Sequence, residues 1–270
     1  SGIAVQCADG IKVYKAEGKL KNLKEELAPH AYEFSKSTSG IGHIRWATHG
    51  APTVVNAHPH TCGCGKLVLV HNGIIENYKE LKAELAAKGC KFRSQTDTEI
   101  VAHLIASIYG EVKDLTKAVQ MATKRIEGAY AFCIMHNDEP GKIVATKRNA
   151  PLLIGVGEGE YYVASDVPAT IKHTNKAIYL TDNQVVTLTP DSLVLEDENE
   201  NVLEPKIEVL PWEPVALSKM GYKHFMLKEI HEQPDVIRNI LVGKLHTSDS
   251  PIVLNEVKLT KETLKNLNRI

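Results

Sequence analysis

The sequence predicts an α+β fold, and two observations carry that prediction. Short β-branched runs open the chain, a block of three well-punctuated helices follows, and short strands then return. Strands, then helices, then strands is not the alternation of a repeating βαβ array. A chain of 270 residues with 43% hydrophobic and 24% charged residues has length for one large domain with an appendage.

The opening reads as a hairpin, Ile3–Val5 and Ile11–Tyr14 joined through Ala8-Asp9-Gly10. A helical stretch over Leu20–Ala28 ends against Pro29, and polar residues 35–40 lead into an apolar strand over Ile41–Trp46. Beyond the loop Ala51–Gly65, Leu67–Val70 is apolar on both faces, as a buried central strand requires, and His71-Asn72-Gly73 reads as the turn that stops it. Asn77, Asp97 and Asp114 are placed to cap helices over Tyr78–Lys88, Thr98–Tyr109 and Leu115–Ile126, closed by Gly89, Gly110 and Gly128. Six strands follow: Tyr130–Met135, Lys142–Thr146, Leu152–Val156, Tyr161–Ala164, Ile178–Leu180 and Val185–Leu188. Near Pro211 the period breaks, and helical segments over Lys223–Lys244 and Leu259–Ile270 are expected to be interrupted at Pro234 and Pro251. The division expected is residues 1–212 as the main domain and 213–270 as a helical linker.

Charge and cysteines narrow the function classes. The formal charge of −1 offers no basic footprint for nucleic acid. No apolar run is long enough to span a bilayer, and the first residues lack a signal-peptide pattern, so neither nucleic acid nor membrane is an expected partner and a cytoplasmic location is expected. Five cysteines without a secretory signal argue against a disulfide framework.

Four polar clusters sit at strand ends: Arg45–Gly50, Asn56–His60, His71–Gly73 and Thr96–Glu99. Read singly, Asp97 caps a helix, Asn72-Gly73 punctuates a turn, Trp46 packs in a core and Arg45 forms a surface ion pair. Read together, they supply a cation for an α-carboxylate, an anion for an α-ammonium, and amide donors for an oxyanion, which is a pocket for a zwitterionic amino acid. Cys62 and Cys64 beside His58 and His60 lack the paired Cys-x-x-Cys knuckles of a structural zinc site, so no metal is expected. Gly155–Gly159 has no following helix and holds an acidic residue, so it reads as a strand turn rather than a phosphate loop.

Ile44-Arg45-Trp46-Ala47-Thr48-His49-Gly50, Asn56-Ala57-His58-Pro59-His60, His71-Asn72-Gly73-Ile74-Ile75-Glu76-Asn77 and Thr96-Asp97-Thr98-Glu99 together resemble the glutaminase domain of class II glutamine amidotransferases, and specifically the glutamine–fructose-6-phosphate aminotransferase family. Glu127–Tyr130, Ala164-Ser165-Asp166 and Lys228–Pro234 fit the same family. The alternatives are the amidophosphoribosyltransferase branch and a non-catalytic glutamine-binding module. Trp46 and Lys228–Pro234 favour the hexosamine branch over the first.

The resemblance implies a four-layer α/β/β/α N-terminal-nucleophile fold with antiparallel sheets and no cofactor. It gives Arg45 and Asp97 the α-groups of L-glutamine, with Thr48, His49 and His58 lining the same pocket. Asn72 and Gly73 become the oxyanion hole, His71 shapes it, and Trp46 belongs to a mobile wall on the ammonia path. It further implies transfer of ammonia to fructose 6-phosphate on a C-terminal isomerase domain, through which the full-length protein homodimerises. The family's nucleophile is an N-terminal cysteine with its own α-amine as base. Ser1–Val5 matches an internal strand of the family instead, so the cysteine-bearing segment is expected to lie upstream of Ser1 and the isomerase half beyond Ile270.

Overall fold

A computed structural model describes residues 1–45, 50–210 and 221–241, with side chains described to 238 at the last of these. Two compact units divide the chain, residues 1–212 and 213–270.

The first unit begins with β1 (Gly2–Cys7) and β2 (Gly10–Lys15), the expected hairpin, with Gly10 at φ +121° in its turn. α1 (Leu20–Leu27) ends just ahead of Pro29 as expected, and Pro29 sits in a 3-10 turn (Ala28–His30) leading into a one-turn α2 (Ala31–Phe34). Proline is tolerated there because the first residues of a helical turn have no intrahelical partner for their N–H groups. β3 (Gly40–His43) pairs with β1, giving a three-stranded sheet in the order β2-β1-β3.

β4 (His60–Thr61) and β5 (Leu67–Ile75) form the next hairpin. α3 (Tyr78–Ala87), α4 (Asp97–Val112) and α5 (Leu115–Thr123) follow, then β6 (Gly128–His136), β7 (Ile143–Arg148), β8 (Leu153–Val156), β9 (Tyr161–Ala164), β10 (Lys176–Tyr179), β11 (Val185–Thr189), β12 (Ser192–Glu196), β13 (Val202–Leu203) and β14 (Glu208–Val209). A seven-stranded sheet runs β13-β12-β11-β7-β6-β5-β4, and a four-stranded sheet runs β14-β10-β8-β9. Every pairing is antiparallel.

Period-two alternation divides the core. Leu67, Leu69, Phe132, Ile134 and Val144 face α3, α4 and α5, packing with Leu81, Leu85, Ile100, Leu104, Ile105 and Val119. Val68, Val70, Cys133 and Met135 face the other way, against Ala4 and Ile41 of the three-stranded sheet. Ala131, Ala145, Val186 and Leu188 pack on Ile154 and Ile178 of the four-stranded sheet. With α1 and α2 against the outer side of the β1–β2 hairpin, the layers run helix, sheet, sheet, helix.

Several local expectations are corrected. β5 does not end at His71-Asn72-Gly73 but continues to Ile75 in register with β6, Asn72 opposite Ala131 and Gly73 opposite Tyr130. Asp97 is the first residue of α4 rather than its cap, and α4 passes Gly110 to end on Lys113 at φ 55°. Asn77 precedes α3, but its side chain donates to Arg125 O (2.9 Å) and accepts from Glu127 N (3.1 Å), tying α3 to the start of β6. Asp114 does cap α5, accepting from Lys117 N at 3.0 Å.

In the second unit, α6 (Phe225–Leu241) runs through Pro234 instead of breaking there. Lys228 pairs with Glu232 one turn later at 3.4 Å. Residues 242–270, with the expected Pro251 break and Leu259–Ile270 helix, lie outside the described residues. No described helix is long and apolar enough to cross a membrane.

Candidate active site

A cleft of about 760 Å³ opens between the seven-stranded sheet and the two smaller sheets. Arg45 and His43 border it from the end of β3, His58 from the loop before β4, Asn72 and Gly73 from β5, and Asp97 and Thr98 from the start of α4. Ala131 and Cys133 of β6, Tyr161 and Tyr162 of β9, and Ser165 just beyond it complete the lining. Five sequence-predicted residues thus meet in one cleft: Arg45, His58, Asn72, Gly73 and Asp97. Trp46, Thr48 and His49 lie outside the described residues.

Asp97 is the best-held member. It is buried, its Oδ2 accepts from Ile75 N at 2.8 Å, and its Oδ1 accepts from the Thr98 hydroxyl at 3.3 Å. Thr98 Oγ1 in turn lies 3.0 Å from His71 Nδ1. With the hydroxyl donating to the carboxylate, the imidazole Nδ1–H donates to the hydroxyl, so β5 and α4 are locked by one polar chain. The Ile75 bond exists because β5 continues past Asn72-Gly73, which is why the register correction bears on the site.

That continuation needs Gly73. Its φ is +138°, and a Cβ there would collide with the Ala129 carbonyl across the ladder. Only the bare backbone passes so close to β6, leaving Asn72 exposed toward the cleft beside it.

Arg45 is held differently. Its guanidinium donates to Ala51 O and Gly50 O, each at 3.3 Å. Ala51 is in turn tied to the approach to α4 by Asn56, which donates to Ala51 O (3.0 Å) and Gln95 Oε1 (3.2 Å) and accepts from Gln95 N (2.9 Å). Glu99 fixes the other side by accepting from Arg93 N, Ser94 N and Ser94 Oγ.

Four histidines surround these groups, with ring centroids of His43 and His58 4.4 Å apart and of His58 and His60 4.9 Å apart. Burial lowers all four, His43 to about 4, His60 to about 3, His71 to about 4, and His58 furthest, with neighbouring histidines adding to the burial effect at His43 and His58. They are neutral at pH 7. His58 Nδ1 accepts from His71 N at 3.2 Å, which fixes the proton of neutral His58 on Nε2. His60 Nε2 meets Thr96 Oγ1 at 3.1 Å. The fixed charges that Arg45 and Asp97 bring to the cleft are therefore of opposite sign, among uncharged imidazoles.

His43 and Cys133 had no sequence signal. Both reach the cleft through strand pairings between distant segments, β3 with β1 and β5 with β6. Burial pushes the Cys133 thiol up to about 12, so it stays protonated and is a poor nucleophile. Among the described residues, no group of three or more His, Cys, Asp or Glu is placed to hold a metal ion.

Residues 51–172 match the glutamine amidotransferase domain family. Across its whole length the chain is 44% identical to the glutamine–fructose-6-phosphate aminotransferase of Methanosarcina mazei, and over 93% of its length 45% identical to that of Aquifex aeolicus. It spans 44% and 41% of those two proteins. The glutamine phosphoribosylpyrophosphate amidotransferase of B. subtilis superposes on 74% of this chain and 43% of that one, with a TM-score of 0.59 at 25% identity. The chain belongs to the class II glutamine amidotransferases, which have the N-terminal-nucleophile fold. Within that class its whole length is similar to part of glutamine–fructose-6-phosphate aminotransferases.

Proposed function

We propose that the cleft binds L-glutamine, with Arg45 taking the α-carboxylate and Asp97 the α-ammonium, while Thr48, His49 and His58 line the same pocket. Asn72 and the Gly73 N–H stabilise the oxyanion formed when the side-chain amide is attacked. Trp46 closes the wall between glutamine and the ammonia path. The products are glutamate and ammonia, and in the whole protein the ammonia converts fructose 6-phosphate to glucosamine 6-phosphate on the isomerase half, in the cytoplasm and as a homodimer. Residues 1–212 form the glutaminase domain, and 213–270 lead toward the isomerase.

The observation that carries this reading is the meeting of Arg45 and Asp97, of opposite charge, in one cleft beside an exposed Asn72 and Gly73 at φ +138°. The attacking group in this proposal is the cysteine thiol that the family resemblance implies, its α-amine taking the proton; Cys133, protonated and buried, is not assigned that role. The neutral histidines suit such a cleft, because an additional cation would compete with glutamine's ammonium for Asp97.

Glutamate release tests the proposal. The 270-residue chain is compared with a form carrying a cysteine-initiated segment ahead of Ser1. Release by the extended form alone is the expected result. An extended, folded form without glutaminase activity would contradict the reading, and release by both would move the nucleophile inside the chain.

A further inference from the structure

The turn joining β4 to β5 carries Cys62-Gly63-Cys64, away from the residues given a role above. Cys62 N donates to Leu67 O at 3.2 Å and Gly65 N donates to Cys62 O at 3.0 Å, so the turn is closed by backbone bonds at both ends. Gly65, at φ +72°, lets the chain reverse. Within it the two sulfurs approach to 2.6 Å. Cys62 is buried, Cys64 is exposed, and both are free thiols. Two thiolates sharing a tetrahedral zinc, each at about 2.3 Å, would be held much farther apart than this, whereas a disulfide needs about 2.05 Å. No third ligand joins them among the described residues.

We propose that Cys62 and Cys64 form a dithiol oxidised reversibly to an intraturn disulfide by exchange with a low-molecular-weight disulfide. Exposure assigns the order of events. The Cys64 thiolate, having given its proton to solvent, attacks one sulfur of the small disulfide, forming a mixed disulfide. The first small thiolate leaves and is protonated to the thiol. The Cys62 sulfur then attacks Cys64 Sγ, and the second small thiol departs with the Cys62 proton. Two cysteine thiols are oxidised, one small disulfide is reduced to two thiols, and no further reactant is needed. Burial raises the Cys62 thiol, with the contact to Cys64 adding to the effect, which suits a resolving thiol that reacts only when its partner is already activated. Gly63 permits the small ring because it carries no side chain, and a Cβ there would press on the buried His103 ring at 3.2 Å.

Oxidised glutathione is the probe, used on the full 270-residue chain. After acid quenching and alkylation, trypsin cuts behind Arg45 and Lys66 and releases a peptide whose only cysteines are Cys62 and Cys64. The expected peptide is lighter by two hydrogens, carries no alkyl group, and recovers both alkylation sites after dithiothreitol. Cys62→Ser should keep glutathione on Cys64, and Cys64→Ser should take it up at least about tenfold more slowly, because the remaining thiol is buried. A wild-type peptide that retains glutathione, or that remains doubly alkylated while exposed Cys64 in Cys62→Ser is modified, would overturn the proposal.

Discussion

The seven-stranded sheet shows two unlike faces. Toward α3, α4 and α5 it is closed and apolar, with Leu67, Leu69, Phe132 and Ile134 essentially without exposure. Toward the smaller sheets the same strands present Val70, Asn72, Ala131 and Cys133 to an open cleft. One face holds the fold, and the other borders a cleft that Arg45, Asn72 and Asp97 also line. The polar chain Asp97–Thr98–His71 stands between them, anchored by the rigid junction of β5 and α4.

Substitutions on the two faces should therefore separate stability from function. Leu104→Ala, on the closed face, should lower unfolding free energy by about 2–5 kcal/mol in chemical denaturation with glutamine affinity intact. Asn72→Ala, on the open face, should leave the denaturation midpoint unchanged. In a catalytically complete form it should reduce kcat by about a hundredfold to a thousandfold, with little change in KM; a raised KM at unchanged kcat would remove Asn72 from the oxyanion hole. Arg45→Ala should weaken glutamine binding by about 1.5–3 kcal/mol in calorimetry. Asp97→Asn should weaken it similarly without unfolding, since the amide oxygen can still accept from Ile75 N. If Asp97→Asn instead unfolds the chain at unchanged affinity, the residue belongs to the closed face.

The smallest effect is a slope. His43, His60 and His71 have folded values lowered by burial to about 4, 3 and 4, below the unfolded value of about 6.5. As pH falls from about 6.5 toward 4, the unfolded chain binds protons that the folded one refuses, so stability is lost on acidification and kept above that window. Each histidine contributes up to about 1.4 kcal/mol per pH unit there. Denaturation midpoints that stay flat between pH 6.5 and 4.5 would show that these rings are solvated.

Much of this architecture was legible locally. The three central helices were visible from their apolar periods, and Asp114 does what its position suggests. The misreadings came where distant pairing overrides local chemistry. Asn72-Gly73 has turn composition, yet nine residues of β5 pair with β6 through it, because Gly73 alone allows the strands to approach there. Asp97 has cap composition, yet its carboxylate bonds β5. β13 and β14 were missed because two-residue pairings at the sheet edges leave no alternation to read. In the site, Arg45, His58, Asn72, Gly73 and Asp97 were visible as clustered motifs. His43 and Cys133 were not, since only strand register brings them to the cleft.

The central claim is that the open face recognises both α-groups of glutamine. Calorimetric titration of the chain with glutamine, with the analogue lacking the α-amine, and with the one lacking the α-carboxylate tests it most directly. The account predicts binding of glutamine and at least about tenfold weaker binding of either analogue, the loss expected for one charge-assisted partner. Equal affinity for all three would contradict it.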